Sequence, residues 1–590
     1  MDQWARIRPR LKMTLAVIID GYTDEPAGLG VPPYIDVYPR YIAGAIWHAD
    51  KSAQIHYFTI DTYRLHEEEI SKLISRADLL IVIGGVVVPG RYLGGKPITS
   101  REVITLPKKY EKPIKVLAGP IARFGTGEKG GERAVTPRQL EDAYDVVIRG
   151  DPALVVHDLV STKSLEKVNP FRIAGNYNLI NVFATIGARI VTQHPNHGFN
   201  LTAEIETFRG CSRWLTGGCS FCIEPRFGRV IVRDQEDIAR EISLLYELGV
   251  RSFRLGRQSD FLAYKANGMN EVEYPEPNPV ELRKLFQMIR AAAPSLETLH
   301  IDNVNPMTIA LHEEKSREAL KIIVKYHTPG DVAAFGLESA DPRVARENNL
   351  GNDPESVIRA IEVVNEVGAR RGWNGLPEML PGLNFVLGLK GETRETFVLN
   401  KAFLEELLER NLLVRRINLR EVLPLPGTPM WEVGNSIARR HTKYITGFKR
   451  WVREVFDEKM IERVFPRGLI IRRCYVEALV DGRYAARPTG SYPPTVFLDD
   501  ARVGSRIDCI VYGHKARSLL GVKFPLDISE KTFLRVFGSR GKEYYEKVRS
   551  ERVSDLPACV LKYLGVMTGR ISSVSALAHD QSSLNRQEHP

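Results

Sequence analysis

The stretch ETFRGCSRWLTGGCSFCIEP, residues 206–225, decides the reading of this chain. It gathers Cys211, Cys219 and Cys222 within twelve positions, whereas the first 210 residues carry no cysteine. Thiolates are soft ligands that favour zinc or iron–sulfur clusters, and a clustered trio points to metal or redox chemistry rather than to a disulfide scaffold. Zinc takes four protein ligands in a structural site, and no fourth cysteine lies nearby. Three thiolates on a four-iron cluster leave one iron open to a small molecule. A zinc site completed by a distant histidine, or three unligated thiols, is the alternative at this point. Cys474, Cys509 and Cys559 stand apart and read as small buried hydrophobes.

Working outward, the trio follows a short apolar run, AEIETFRG (203–210), that opens an alternation of strand and helix patterns. Further strands are expected at 252–256, 298–303, 333–339, 384–389 and 417–422, with helical periodicity between them, as in DQEDIAREISLLYELG. Asp353-Pro354 supplies an N-cap and a first-turn proline. Six strands with five crossovers fall two units short of an eight-fold barrel and predict a partial (β/α)6 barrel over 201–432. Barrel enzymes place reactive groups at the carboxyl ends of their strands, which is where Cys211 falls.

Before it, residues 13–160 alternate near-continuous apolar runs at 14–20, 55–60, 78–85, 114–119 and 144–150 with helical patterns, one of them from Tyr34 to His48. That is the signature of a parallel sheet covered on both faces, here a five-stranded doubly wound domain. Gly84-Gly85 and Gly150-Asp151 would lie at its ligand-binding carboxyl edge. Residues 161–200 have weaker periodicity and read as a connecting segment. Beyond the barrel come a basic helical stretch (433–468), a small β-barrel (469–525), a helical hairpin (526–568) and a polar, serine-rich tail (569–590) expected to be disordered.

The 82 Lys and Arg exceed the 72 Asp and Glu by ten, a modest surplus over 590 residues, so its location matters more than its size. No apolar run reaches the roughly 18–20 residues that cross a bilayer, and the first apolar stretch turns polar at VIID, too early for a signal peptide. A cytoplasmic protein without a membrane partner is expected.

Together these fragments resemble the radical S-adenosylmethionine (SAM) superfamily, in its branch of methylthiotransferases and cobalamin-binding enzymes. The usual cluster motif is Cys-x3-Cys-x2-Cys; here seven residues separate Cys211 from Cys219. GLES (336–339), NFVLGLKGETRETF (384–397) and LPLPGTPMW (423–431) are similar to that branch's later strand-end segments, in the same order. The arrangement is closest to an uncharacterised archaeal-type subgroup. The resemblance implies that Cys211, Cys219 and Cys222 hold a 4Fe–4S cluster whose open iron takes the methionine end of SAM, and that one electron releases a 5′-deoxyadenosyl radical. It places Gly256, Arg257 and Gln258 at the methionine amino group, Glu338 and Ser339 beside the cofactor, and Gly388 near the adenine. Leu350 stands where many relatives carry an arginine, which would move that role to Arg343 or Arg346.

The first domain resembles cobalamin-binding domains, but its loop DGYTDEPAGLG (20–30) lacks the histidine many of them use; cobalamin stays open. Methylthiotransferases carry a second cluster on cysteines that this first domain does not have. The segment 476–522 resembles the small β-barrel (TRAM-like) of RNA-modifying relatives, and ISEKTFLRVFGSRGKEYYEKV (528–548) a helix-hairpin-helix with Gly538 and Gly541 as turn glycines. With Arg439, Arg440, Lys449, Arg450 and Arg487 they mark a nucleic-acid surface, since cations interleaved with aromatic residues suit phosphate contact and base stacking. The expectation is therefore a radical SAM enzyme modifying RNA of transfer-RNA type, supplied with electrons by a ferredoxin or flavodoxin. The alternatives are a cobalamin-dependent methylase of a small molecule or protein, and a nucleic-acid-binding protein with a structural or redox-sensing cluster.

Overall fold

The computed structural model describes residues 14–23, 34–86, 95–127, 130–550, 552 and 555–565. The serine-rich tail and most of the 20–30 loop lie outside the described residues. In the first domain, β1 (Leu15–Asp20), β3 (Gln54–Thr59), β4 (Leu79–Ile83), β5 (Ile114–Ala118) and β6 (Val146–Val147) form one sheet in the order β3-β1-β4-β5-β6, and every pairing is parallel. Leaving aside β2, this is the 2-1-3-4-5 order of a doubly wound domain. Val17 and Ile19 enter one core and Ala16 and Ile18 the other, all fully buried. Strict alternation into two cores is the reason the strand reads as a continuous apolar run.

One element departs from the expected helix over Tyr34–His48. The helix begins at Val37, with the Asp36 carboxylate accepting from its first N–H. The two residues before that cap, Tyr34–Ile35 (β2), pair in parallel with Thr202 and Ala203 of the next domain. Helical periodicity cannot reveal an edge strand that exists only through a distant partner.

The central region carries β7 (Thr202–Glu206), the short hairpin β8 (Phe208–Arg209) and β9 (Ile231–Val232), then β10 (Ser252–Gly256), β11 (Thr298–Ile301), β12 (Asp331–Glu338), β13 (Met379–Leu387) and β14 (Arg416–Glu421). They make two parallel sheets, β11-β10-β7-β2 and β12-β13-β14, joined by a bridge from Asn303 to Ala334. Helices Gln235–Glu247, Pro279–Ala292, Glu313–Tyr326, Pro354–Gly368 and Arg394–Glu409 fill the crossovers. The segment read as a connection, 161–200, contains a helix, Asn178–Gly187, whose Ile180, Phe183 and Ala184 are buried against the helix Val37–Ala49.

Three side chains with no exposure hold the two domains together. Glu241 receives Arg40 from the first domain on one carboxylate oxygen and Arg233, at 2.8 Å, on the other. Arg40 also donates to the Glu204 carbonyl, and Arg233 to the Glu206 carbonyl at 3.0 Å and to Asn181 at 2.9 Å.

The C-terminal part is a closed five-stranded barrel of β15 (Ile470–Val480), β16 (Arg483–Pro488), β17 (Thr495–Leu498), β18 (Arg506–Lys515) and β19 (Ser518–Phe524), followed by helices Glu530–Phe537 and Gly541–Arg549. Among the described residues no helix is long and apolar enough to cross a membrane.

Removing one member of a buried ion cluster strands the others without a counter-charge, typically at about 3–5 kcal/mol. Glu241→Ala is accordingly expected to lower the thermal unfolding midpoint more than any exposed substitution on the same helix, as read by circular dichroism.

Candidate metal and cofactor site

The cysteine loop leaves the sheet at the carboxyl end of β7 and β8 and returns at β9. Its neck is closed by the Phe208↔Val232 and Arg209↔Ile231 pairs. Inside, Ser212–Thr216 forms one 3-10 turn after Cys211, and the Cys222 N–H donates to the Cys219 carbonyl at 3.1 Å. All three thiols are free and partly exposed. Burial pushes the Cys219 thiol up to about 12, with Arg213 pulling the other way and Cys211 adding to the rise. Cys222 is likewise raised by burial, then by its neighbours Cys219, Glu224 and Cys211. A bound cation is what would make such thiols thiolates.

The donor set suits a cluster. Among the described residues no three His, Cys, Asp or Glu side chains converge tightly enough to hold one ion. A four-iron cube asks for something else, three sulfurs spread over three corners.

The long spacer is a fixed structure. Arg213, with only 7% of its side chain exposed, donates to Cys219 Sγ at 3.0 Å, to Glu273 at 2.7 Å and to the Asn349 carbonyl at 2.8 Å. The Asn349 amide reaches the carbonyls of Thr216 and Gly218, each at 3.0 Å. The Ser220 hydroxyl donates to Asn348 at 2.8 Å, and the Ser220 carbonyl accepts from the Met430 N–H at 2.9 Å. Sequence reading passed over Arg213, Asn348 and Asn349. The available signal was an arginine two residues after the first cysteine and an Asn-Asn pair ahead of Leu350-Gly351. Leu350 itself is buried with Val344, Leu389 and Met430, against which Cys219 and Phe221 pack. Arg343 is 60% exposed and pairs with Glu347 at 3.0 Å.

Glu338 ends β12 at an irregularity in the register, with a backbone φ of +64°. Such bulges re-aim a side chain. Here its Oε2 is shut off from solvent without a hydrogen-bond partner, and burial pushes its pKa up to about 8, countered by Arg420. The end of β12 thus carries a buried, unpaired acceptor that an ammonium group would satisfy. Ser339 is buried next to it, its hydroxyl accepting from the Asp341 N–H at 3.2 Å.

The other expected cofactor residues divide. Gly256 lies against the Glu204 carboxylate, where a Cβ would collide with Oε1. Gln258 accepts from Thr207 at 3.0 Å and donates to the Leu255 carbonyl at 2.6 Å. Arg257 turns toward the first domain, donating to Tyr38 at 2.8 Å and lying 3.7 Å from Asp36. Gly388, at φ +88°, faces Ala438 of a following helix, with only 2.6 Å between the Cβ positions, so helix packing accounts for the glycine.

The expected nucleic-acid residues divide too. Arg439, Arg440 and Arg450 are exposed on helices Ser436–Arg440 and Thr442–Trp451. Lys449 is held by Glu421 at 2.5 Å, and Arg487 by Glu477 at 2.6 Å. Gly538 is exposed at the end of its helix, whereas Gly541 is buried against the Phe533 carbonyl, so the two do not form one open phosphate-binding turn.

Residues 205–403 match the family model of the radical SAM superfamily. An uncharacterised protein of Methanocaldococcus jannaschii, MJ0274, is 44% identical over 86% of this chain and 92% of its own length. An uncharacterised protein of Archaeoglobus fulgidus is 43% identical over 90% of this chain and 94% of its own. The ribosomal protein uS12 methylthiotransferase RimO of Thermus thermophilus is 28% identical over 35% of this chain and 42% of its own length. The chain carries a radical SAM domain over residues 205–403. It is an enzyme of that chemistry, using a 4Fe–4S cluster and S-adenosylmethionine.

Outer contacts of this kind orient metal ligands, and losing one typically costs about 10–100-fold in metal affinity or activity. Asn349→Ala, which releases the spacer while leaving every cysteine in place, is expected to lower the iron retained per chain after anaerobic reconstitution and desalting. Iron content equal to that of the unaltered protein would show that the spacer needs no such tie.

Proposed function

We propose that this enzyme generates a 5′-deoxyadenosyl radical at Cys211, Cys219 and Cys222 and uses it to modify RNA of transfer-RNA type at an unreactive carbon. The observation that carries the reading is the fixed three-cysteine loop after β7, held by Arg213, Asn348 and Asn349; the buried, unpartnered Oε2 of Glu338 at the end of β12 supports it. Cys211, Cys219 and Cys222 would hold a 4Fe–4S cluster, which with one electron from a ferredoxin or flavodoxin would supply the reductive cleavage of SAM to methionine and the radical. Glu338 would accept from the methionine ammonium, and Ser339 lies beside it at the same strand end. We read the two parallel sheets as the arcs of one partial (β/α)6 barrel, whose walls keep water and stray hydrogen donors from a primary carbon radical. RNA as substrate is supported by the exposed cations of helices 436–451 and by the closed small barrel beside them, which we assign as TRAM-like.

A methylase reading would seat cobalamin on the carboxyl edge of the first sheet. There Ile98 and Ile121 pack against Gly21 and Gly84, so the chain itself fills the ends of β1 and β4, and the space left at this edge lies past β5 and β6, among arginines. The expected outcome of reconstitution with hydroxocobalamin and desalting is no retained corrin absorbance.

The central test is 5′-deoxyadenosine formed from SAM by the anaerobically reconstituted, reduced protein. Cys219→Ala and Cys222→Ala should abolish it. Glu338→Gln should keep the cluster and weaken SAM binding by roughly 10-fold, the scale of one charge-assisted hydrogen bond. A fully loaded protein that yields no 5′-deoxyadenosine would return the trio to a structural or sensing role.

A further inference from the structure

A cavity of about 580 Å³ opens between the first domain and the cysteine loop. Arg123, Arg138 and Arg149 reach it from the first domain, Arg226 from the loop four residues past Cys222, and Phe124 and Trp431 add aromatic wall. The volume is that of a small-molecule site, but the lining contains four guanidinium groups and no carboxylate. Arg123 stacks 4.4 Å over Phe227 and donates to the Arg226 carbonyl at 2.8 Å. Arg226 donates to the Gly217 carbonyl at 2.8 Å, while its buried Nε has no partner. Arg149 is shared with the exposed Glu141, and Arg138 is exposed and makes no ion pair among the described residues. Beneath them Val86, Phe124, Leu423 and Leu425 join the two domains, packed against Ile223 and Phe227 of the loop. Aromatic rings and unopposed guanidinium groups around a space of this size recognise a stacked base together with its phosphate.

The cations do not stop at the cavity rim. Trp431 belongs to the short helix Met430–Val433, which leads directly into Ser436–Arg440. Asn435 donates to the Gly131 carbonyl at 3.0 Å, and the exposed Arg133 lies 4.7 Å over the Trp431 ring. This ties the loop that carries Arg133 and Arg138 to the start of the basic helices. Arg133 at the cavity rim is thus tied to the segment that leads to the exposed Arg439, Arg440 and Arg450.

We propose that this cavity receives the base and phosphate of an RNA nucleotide beside the cysteine loop, with the flanking strand lying along the basic helices. This rests on the RNA reading above. It adds a substrate site formed by the first domain, which gives that domain a part in recognition.

The test is equilibrium binding of a fluorescein-labelled transfer-RNA transcript to the reconstituted protein across a salt series. Arg138→Glu, at an exposed position, should weaken binding by about 10-fold or more and reduce the salt slope by about one. Arg138→Lys should bind nearly as the unaltered protein does, and Arg149→Ala should weaken binding in the same sense. Circular dichroism melts of the same samples separate this from unfolding. Adenosine monophosphate should compete only weakly, because it leaves the basic helices empty. Unchanged RNA affinity in Arg138→Glu and Arg149→Ala, with loss confined to Arg439→Ala/Arg440→Ala, overturns the cavity assignment and leaves the RNA reading standing. Absence of RNA binding by the unaltered protein overturns both. Adenosine monophosphate binding as tightly as the transcript would assign the cavity to a free nucleotide and end the proposal.

Discussion

The carboxylate of Glu241, held between Arg40 and Arg233 with all three side chains at zero exposure, is the constraint from which the site's position follows. Burying three charges costs several kcal/mol per ion, and it is tolerable only where the geometry and the extra hydrogen bonds are good. The extra bonds go to the carbonyls of Glu204 and Glu206, two residues of β7, and to Asn181 of the helix that follows the first domain. One ionic cluster thus fixes a first-domain helix, the connecting helix, a barrel helix and the strand that delivers Cys211. The added pairing of Tyr34–Ile35 with Thr202–Ala203 extends the same joint through backbone hydrogen bonds. The first domain is part of the barrel's frame, and its position against the cysteine loop is set from below the site.

From that frame the loop is held by contacts within the chain. A spacer of seven residues where the family uses three adds chain to be ordered, although the entropic penalty of loop closure grows only slowly with length. Its ordering is local and polar. Arg213 sits inside the spacer and touches the second cysteine, while Asn348 and Asn349 approach from the far side of the barrel. Leu350, buried under Cys219 and Phe221, is consistent with this arrangement. In this chain the residues after β12 support the loop through packing and amide contacts, and the arginine that relatives carry at that position has no counterpart there.

Much of this was legible from the sequence for reasons of periodicity. Apolar runs such as LAVIID and SFRLG are strands because both faces are buried, and Asp353-Pro354 starts a helix because the cap and the fixed proline φ are local. The cysteine trio was legible because thiolate chemistry is carried by residue type and close spacing. What escaped was set by distant partners. Tyr34–Ile35 is a strand only because β7 is next to it, and helix 178–187 is buried only because the helix Val37–Ala49 covers it. Gly388 and Gly541 look like ligand-approach glycines in one dimension, but each marks a close approach between elements of the protein. Arg487 reads as a free cation until Glu477 is placed beside it. A charge in a sequence has no partner until the fold supplies one.

The small barrel illustrates the same point on a larger scale. Its loop between β16 and β17 packs along β11 and the starts of β12 and β14. Thr489 meets Thr298 at 2.5 Å, Ser491 takes His300 at 3.0 Å and hydrogen-bonds Ile301, and Tyr492 reaches Asp302 at 3.0 Å beneath the Arg416 guanidinium at 3.7 Å. Tyr492 is buried there with Val332 and Ala334. A module attached this way cannot swing as a free arm. Through Tyr492 it reaches Asp302, which lies beside the buried Arg254 and Glu204, where low dielectric strengthens every charge interaction. One face of the module is therefore committed to the central sheets, and the charges it covers there depend on its staying in place.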